Sequence, residues 1–338
     1  MGAYKHSVTT ANLEKPSPPS QPHGSPDPSR MGQAPGISMQ WLFATPLVRM
    51  AEWRCVAANG GVGEERSQPW HVIGFPLFGT YRLHQGAESL LVDSNHVMFF
   101  NANVGYRTSH PHGFGDSGGS LILRPDLLAE ILGLRGTRAE ASEPPFDSTH
   151  RSSSPRVQLL VWLLLRRLSS HGEREDLFVE ELAIRIAEEV LRAVRGRAGL
   201  AARPNPLGQR RRLTAVEKVK DRLAETLTRN THLEEMAALA GCSPFHLCRA
   251  FRRVTGMSMT AYRTRLRHGA ALERLDEDLA TLALDLGFSS HSHFTESFRR
   301  LFGVAPSVVR AFAKSRRERF LRQIARCLPP PRSLKTLR

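Results

Sequence analysis

Between about residue 45 and residue 123 the apolar positions come in short runs broken by Gly, Pro, Asn and Asp: WHVIGFPLFGTYRLH, SLLVDSNHVMFFNANVGYRTSH and GGSLILRP. Runs this short, punctuated by turn formers, predict antiparallel strands of a small barrel or sandwich. Asp93-Ser94-Asn95 is the expected turn between Leu90-Leu91-Val92 and Val97-Met98-Phe99-Phe100. From about 124 to 197 the spacing becomes helical. Pro125 suits the first turn of a helix over Asp126–Leu132, and further helices are expected over Val157–Leu168 and Leu177–Val194. In the last of these Leu177, Leu182, Ile186 and Val190 form a stripe that fits packing on the barrel better than a dimer contact.

The segments between and around these patterns set the expected boundaries. Residues 1–44, with KPSPPSQPHGSPDPS, are too poor in apolar side chains to offset the entropy of ordering and read as a disordered tail. Residues 45–197 form the first domain. Residues 198–212, with Gly, Pro and Arg, read as a basic linker, residues 213–312 as a domain of short helices, and residues 313–338 as a basic tail. Thr231 and Glu234 have the spacing of a capping box, and Asp276 or Asp278 is placed to cap a later helix. Tyr262–Leu275 is the expected connecting helix.

The helical domain contains a degenerate repeat. Ala237, Gly241 and Ser243 return as Ala283, Gly287 and Ser289, and Phe251, Arg252, Arg253 and Gly256 return as Phe298, Arg299, Arg300 and Gly303. Each copy reads as a helix, a tight turn at Gly and a second helix ending in Phe-Arg-Arg. That is the pattern of a helix-turn-helix, whose second helix enters the DNA major groove. With Ser243 as N-cap, Leu247, Ala250, Phe251 and Val254 point inward at helical spacing. In the second copy Phe294, Ser297, Phe298 and Leu301 point inward.

The outward positions differ between the copies, as separate base reading requires. Phe245, Cys248 and Arg249 in the first copy, and His291, Ser292, Thr295 and Glu296 in the second, are the expected base-reading residues. Arg249 has the fork for guanine O6 and N7, Glu296 can accept from the cytosine amino group, and Phe245 and Cys248 suit thymine methyls. Ser243, His246, Arg252 and Arg253, with Ser290, Arg299 and Arg300, are placed for the DNA backbone. Glu296 also has a bland reading, as an ion-pair partner of Arg300 one turn on.

Charge agrees with the repeat. The chain carries a net charge of +15, and residues 201–338 hold 27 Lys/Arg against 12 Asp/Glu, whereas the first 200 residues hold 20 of each. The whole excess lies where the repeat lies, as expected for a phosphate-binding domain. The four cysteines, Cys55, Cys242, Cys248 and Cys327, form no CxxC pair, so neither a disulfide framework nor a zinc knuckle is expected. The longest apolar run, Val157–Leu165, falls well short of the ~20 residues of a membrane span. The N-terminus lacks the apolar stretch of a signal peptide. The expected setting is a cytoplasmic protein without membrane contact.

Two strings, LEEMAALAGCSPFHLCRAFRRVTGMSMTAYR (Leu233–Arg263) and LALDLGFSSHSHFTESFRRLFGVAPSVVR (Leu282–Arg310), resemble the AraC/XylS family of bacterial transcription regulators. The Gly-Phe turn, the Phe-Arg-Arg-x-Phe-Gly stretch and the closing Pro306 carry the likeness, which covers about residues 213–312. The resemblance implies seven helices there. Less specifically, DSNHVMFFNANVGYRTSHP (Asp93–Pro111) is similar to the family's cupin-like sensor. The implied fold is α+β and multidomain: an N-terminal cupin-like β-barrel with flanking helices, then an all-α double helix-turn-helix domain. The resemblance further implies an unidentified small-molecule effector, a homodimer, and activation through RNA polymerase at a double-stranded DNA promoter or operator. Glu296 departs from the family's more basic or neutral pattern.

Cupin-like barrels also host metal enzymes, which raises a second class of function. The candidates are His84, His96, His110 and His112, and His110-Pro-His112 on a strand would face one side. A usable site needs a third and usually a fourth inward ligand, and the one carboxylate close behind is Asp116 in a Gly-rich loop. The expectation is therefore no metal, no cofactor and no catalytic residue. A cupin-type metal enzyme and a nonspecific architectural DNA-binding protein stand as the alternatives; the mixed outward residues argue against the second.

Overall fold

The computed structural model describes residues 36–328 apart from 57–60, 87, 114, 135–143, 171–174, 196–205, 316–317 and 327. The disordered-tail expectation for residues 1–35 lies outside the described residues.

Strand β1 (Ile37–Ala44) pairs antiparallel with β2 (Val48–Cys55), which pairs with β8 (Asp116–Leu123). β8 pairs in turn with β3 (Val72–Phe78), β3 with β6 (His96–Phe100), and β6 with β9 (His150–Ser152). A second sheet joins β5 (Glu88–Val92), β4 (Tyr81–Gln85) and β7 (Arg107–Ser109). The strand expectation holds, but the barrel does not close: the described strands form two separate sheets, of six and three strands. β1 also begins inside the stretch read as tail. There the Pro-rich composition gives way to Ile37-Ser-Met39-Gln-Trp41, whose alternation suits an edge strand.

Side-chain alternation gives the six-stranded sheet two apolar faces. Val48, Met50, Ile73, Phe75 and Leu121 belong to the core shared with helices α1 (Pro125–Leu132), α2 (Pro155–Leu168) and α3 (Asp176–Arg195). Val72 and Ile122 turn the other way. Leu182, Ile186 and Val190 of α3 are buried in that core, as the stripe predicts, whereas Leu177 is exposed.

Seven helices follow from residue 206 to residue 315: α4 (Pro206–Glu225), α5 (Leu233–Ala240), α6 (Pro244–Thr255), α7 (Met259–Glu273), α8 (Leu279–Asp285), α9 (His291–Phe302) and α10 (Pro306–Ser315). An eighth, α11 (Glu318–Ala325), occupies part of the expected basic tail, because Leu321 and Ile324 give it an apolar side that is buried. α4 likewise starts inside the expected linker. Asp278 caps α8 as expected, accepting from the amides of Ala280 and Thr281. The capping box at Thr231 does not form. His232 is the N-cap of α5 and makes no side-chain bond there, while the Thr231 hydroxyl accepts from Arg263 at 3.0 Å.

The helices do not form one independent core. α5, α6 and part of α4 enclose Val216, Val219, Leu247, Phe251 and Tyr262. α8 to α11 instead share their core with α2 and α3. Trp162 of α2 donates to Glu273 of α7 at 3.0 Å, and Arg166 reaches the same carboxylate at 3.0 Å.

Candidate nucleic-acid interface

The two helix-turn-helix units are built by the same local chemistry. α5 ends in Gly241 and α8 is followed by Gly287, both at positive φ, +65° and +78°. This is the left-handed conformation that glycine enters without a Cβ penalty. In the first turn the Gly241 amide donates to Ala238 and the Cys242 amide to Ala237, both at 3.1 Å. In the second Gly287 donates to Leu284 and Phe288 to Ala283, both at 2.9 Å. The repeat read in the sequence is thus a repeat of hydrogen bonds.

α6 starts at Pro244, and the Ser243 hydroxyl accepts from the amide of His246. α9 starts in the same way, with Ser290 accepting from His293. Leu247 and Phe251 are fully buried, with Ala250 and Val254 half-buried over them. Phe294 and Phe298 are equally buried in the second unit, Ser297 and Leu301 are half-buried, and Phe302 joins them. The inward faces are as predicted.

The opposite faces are open. Phe245, Cys248 and Arg249 of α6 are exposed, as are His246, Arg252 and Arg253 and the cap Ser243. His291, Ser292, Glu296, Arg299 and Arg300 of α9 and the cap Ser290 are exposed, and Thr295 is half-buried. A large aromatic left 66% exposed at Phe245 is unusual on a surface otherwise so polar. The Arg249 guanidinium stands 5.5 Å from the centre of the Phe245 ring, which holds it toward the N-terminal turn of α6. In a recognition helix that turn faces the base edges.

Several outward groups already have partners. Glu296 pairs with Arg299 at 2.7 Å and with Arg300 at 3.5 Å, so its bland reading is realised and a cytosine contact would have to break the first of these. His246 and Ser243 share a 3.0 Å hydrogen bond, and His293 does the same with Ser289.

Behind these faces lie residues that periodicity did not single out. Arg267 donates to the carbonyls of Leu227 and Gly287, both at 2.7 Å, tying the α4–α5 connection to the second turn. Burial, with Arg263 alongside, pushes its pKa down to about 10. His268 is fully buried, with its ring centre 4.9 to 6.1 Å from those of Phe288, Phe294, Phe298 and Phe302, and it shares a 2.8 Å hydrogen bond with Ser297. Burial, aided by His293 and Arg267, pushes its imidazole down to about 3. Nothing in the sequence distinguishes His268 from a surface histidine.

In the N-terminal part a cavity of about 110 Å³ lies between the sheets, walled by Met39, Trp53, Tyr81, Phe100 and Tyr106, with Arg66 and Gln68 at its polar side. The candidate histidines diverge. His110 turns to this cavity, bonding Asp116 at 2.5 Å, while His112 bonds Thr80 at 3.1 Å and faces Asp221 of α4. Both lie past the end of β7, so the strand geometry that would align them is absent. His84 bonds Ser109, and His96 contacts Asp93 at 3.1 Å.

A family model described as a helix-turn-helix domain matches residues 236–311. The HTH-type transcriptional regulator GlxA of Rhizobium meliloti is 39% identical over 101 residues, which are 29% of this chain and 30% of that protein. The uncharacterized HTH-type transcriptional regulator YbfI of Bacillus subtilis is 29% identical over 230 residues, 66% of this chain and 78% of its own length. Among solved structures, the DNA-binding domain of AdpA in complex with a target DNA matches at 28% identity and a TM-score of 0.29, over 31% of this chain and 96% of that one. The C-terminal part of the chain is a helix-turn-helix domain. The match lies within the stretch that resembles the AraC/XylS family.

Proposed function

We propose that this protein is a sequence-specific DNA-binding transcription regulator that places α6 and α9 in successive major-groove segments of one promoter or operator. The observation that carries the reading is the pair of matched recognition helices, each seated on a buried Phe face with an unlike outward set: Phe245, Cys248 and Arg249, all exposed, on α6, and exposed His291, Ser292 and Glu296 with half-buried Thr295 on α9. Arg252, Arg253, Arg299 and Arg300 lie toward the C-terminal ends of the helices and take the phosphates. The basic excess of residues 201–338 supplies the nonspecific part of the affinity. The likeness to the HTH-type transcriptional regulators GlxA and YbfI supports a regulator rather than an enzyme.

The N-terminal part is a cupin-like sensor that takes a small effector in the cavity between its sheets. An aromatic wall beside Arg66 and Gln68 suits a small, partly apolar molecule with one polar or anionic end. The protein works as a homodimer in the cytoplasm and activates transcription through contact with RNA polymerase. No helix among the described residues is long and apolar enough to cross a membrane.

Selection of bound duplexes from random DNA by the full-length chain, at two salt concentrations, tests the reading. An enriched motif with two half-sites about one helical turn apart, surviving the higher salt, is expected. Binding without enrichment, vanishing as salt rises, would reduce the domain to a phosphate binder and favour the architectural alternative.

A further inference from the structure

The cavity between the sheets also brings together three side chains of metal-ligating type that lie far apart in the chain. Cys55 ends β2, Asp116 opens β8, and His110 follows β7 in the second sheet. The antiparallel register sets Cys55 directly opposite Asp116. His110 Nε2 approaches Asp116 Oδ2 to 2.5 Å from the other side. One donor atom from each residue lies within 4.8 Å of the other two. Asp116 is 5% exposed and Cys55 9%, so this is not an acidic cluster on a surface.

The donor set selects its ion. A thiolate, an imidazole and one carboxylate suit Zn²⁺ or a neighbouring late transition metal, whereas Ca²⁺ and Mg²⁺ call for all-oxygen shells. A tetrahedral ion with bonds of about 2.0–2.3 Å holds its donors roughly 3.5 Å apart. Reaching that geometry widens the 2.5 Å His110–Asp116 contact, with the ion entering between the two side chains. We propose that Cys55, His110 and Asp116 form a transition-metal site in the wall of this cavity, with three protein ligands and a fourth position open to the cavity. Binding exchanges the Cys55 S–H bond for a sulfur–metal bond and releases the proton to solvent. No electron is transferred. His112, two residues beyond a ligand, already faces Asp221 of α4 at 3.8 Å, so the site stands next to a contact with the DNA-binding part.

The sequence alone does not suggest this set. HxH spacing points to His110 and His112 together, and the structure separates them. It replaces His112 with Cys55, which sits on a strand with no ligand motif around it.

The test is a titration of chelator-treated, full-length protein with Co²⁺, whose bond to a thiolate gives a charge-transfer band in the near ultraviolet, followed by competition with Zn²⁺. One equivalent of Co²⁺ with that band, displaced by Zn²⁺, is expected. Cys55→Ser removes the band, and His110→Gln and Asp116→Asn each weaken Zn²⁺ binding at least about tenfold while remaining folded by circular dichroism. The combined Cys242→Ser, Cys248→Ser and Cys327→Ser variant keeps the band. Absence of stoichiometric binding, a band that survives Cys55→Ser, or affinity unchanged in both the His110 and Asp116 variants would overturn the proposal. None of these readouts depends on DNA binding, so failure here leaves the regulator reading standing.

Discussion

The phenol of Tyr262, on the helix that joins the two helix-turn-helix units, donates a hydrogen bond to the carboxylate of Asp93, in the turn between β5 and β6. Both groups are buried. Asp93 also accepts from the Asn95 amide at 2.8 Å and contacts His96 at 3.1 Å. Beside it Lys220 of α4 is 2% exposed and donates to the Leu91 carbonyl at 2.8 Å, while Glu217 accepts from the Leu91 amide at 2.7 Å. The end of β5 is thus gripped by the helical C-terminal part through buried polar bonds, which are costly to leave unpaired.

Removing one partner measures that grip. Tyr262→Phe leaves a buried carboxylate short of a donor and is expected to cost about 1.5–3 kcal/mol of stability at neutral pH. Amide exchange should quicken in both the 93–96 turn and α7. A loss of stability with exchange unchanged in the turn would contradict the contact.

The same site sets an acid limit. Burial would raise the Asp93 carboxyl, but His96, Lys220 and the Tyr262 hydroxyl outweigh it and hold it well below the usual carboxylate range. Its contribution is therefore complete above about pH 4, the unfolded value, and is lost as pH falls toward the folded one. Denaturant unfolding should show the wild type losing stability below that point, with Asp93→Asn weaker at neutral pH and flatter in acid.

His268 acts at milder pH. It is held neutral in the fold down to about pH 3, while the unfolded imidazole titrates near 6.5. Between those values the unfolded chain binds more protons, so stability falls as pH falls, by about 2 kcal/mol from this group at pH 5. His268→Gln, which can still hydrogen-bond Ser297 but does not titrate, should remove that part of the slope in melts at pH 7.5 and pH 5.

The two turn glycines separate strain from collision. A Cβ on Gly241 meets nothing within 4 Å, so Gly241→Ala costs only the left-handed backbone penalty, about 1–2 kcal/mol. A Cβ on Gly287 falls 2.1 Å from the Thr228 carbonyl oxygen and 2.7 Å from the Arg267 guanidinium. Gly287→Ala must displace backbone and should cost clearly more in denaturant unfolding. Equal costs would mean the second turn is looser than described.

What the sequence revealed follows from the range of its signals. Phe251 and Phe298 were legible as inward, and Arg249 as outward, because helical periodicity is local. β1 and α11 were missed because a Pro-rich tail and a basic tail mask short apolar patterns such as Met39 and Trp41, or Leu321 and Ile324. The Thr231 cap was lost to a tertiary partner, Arg263, that no local rule foresees. The meetings of Asp93 with Tyr262, and of Cys55 with His110 and Asp116, depend on sheet register and domain docking. The expected linker suggested a self-contained DNA-binding half, yet α8–α11 bury their apolar faces on α2 and α3. A fragment starting at residue 205 would expose that surface.

On the proposed function, α6 and α9, joined by α7, read one site together. On the selected duplex, inserting about five base pairs between the half-sites, half a helical turn, turns the second groove segment to the far side. Full-length protein should then lose at least about tenfold in affinity, and Arg249→Ala should cost about 1–3 kcal/mol on the intact site and relax preference at one base pair. Affinity unchanged by the insertion would mean that only one of the two helices reads DNA, and would rule out joint reading by α6 and α9.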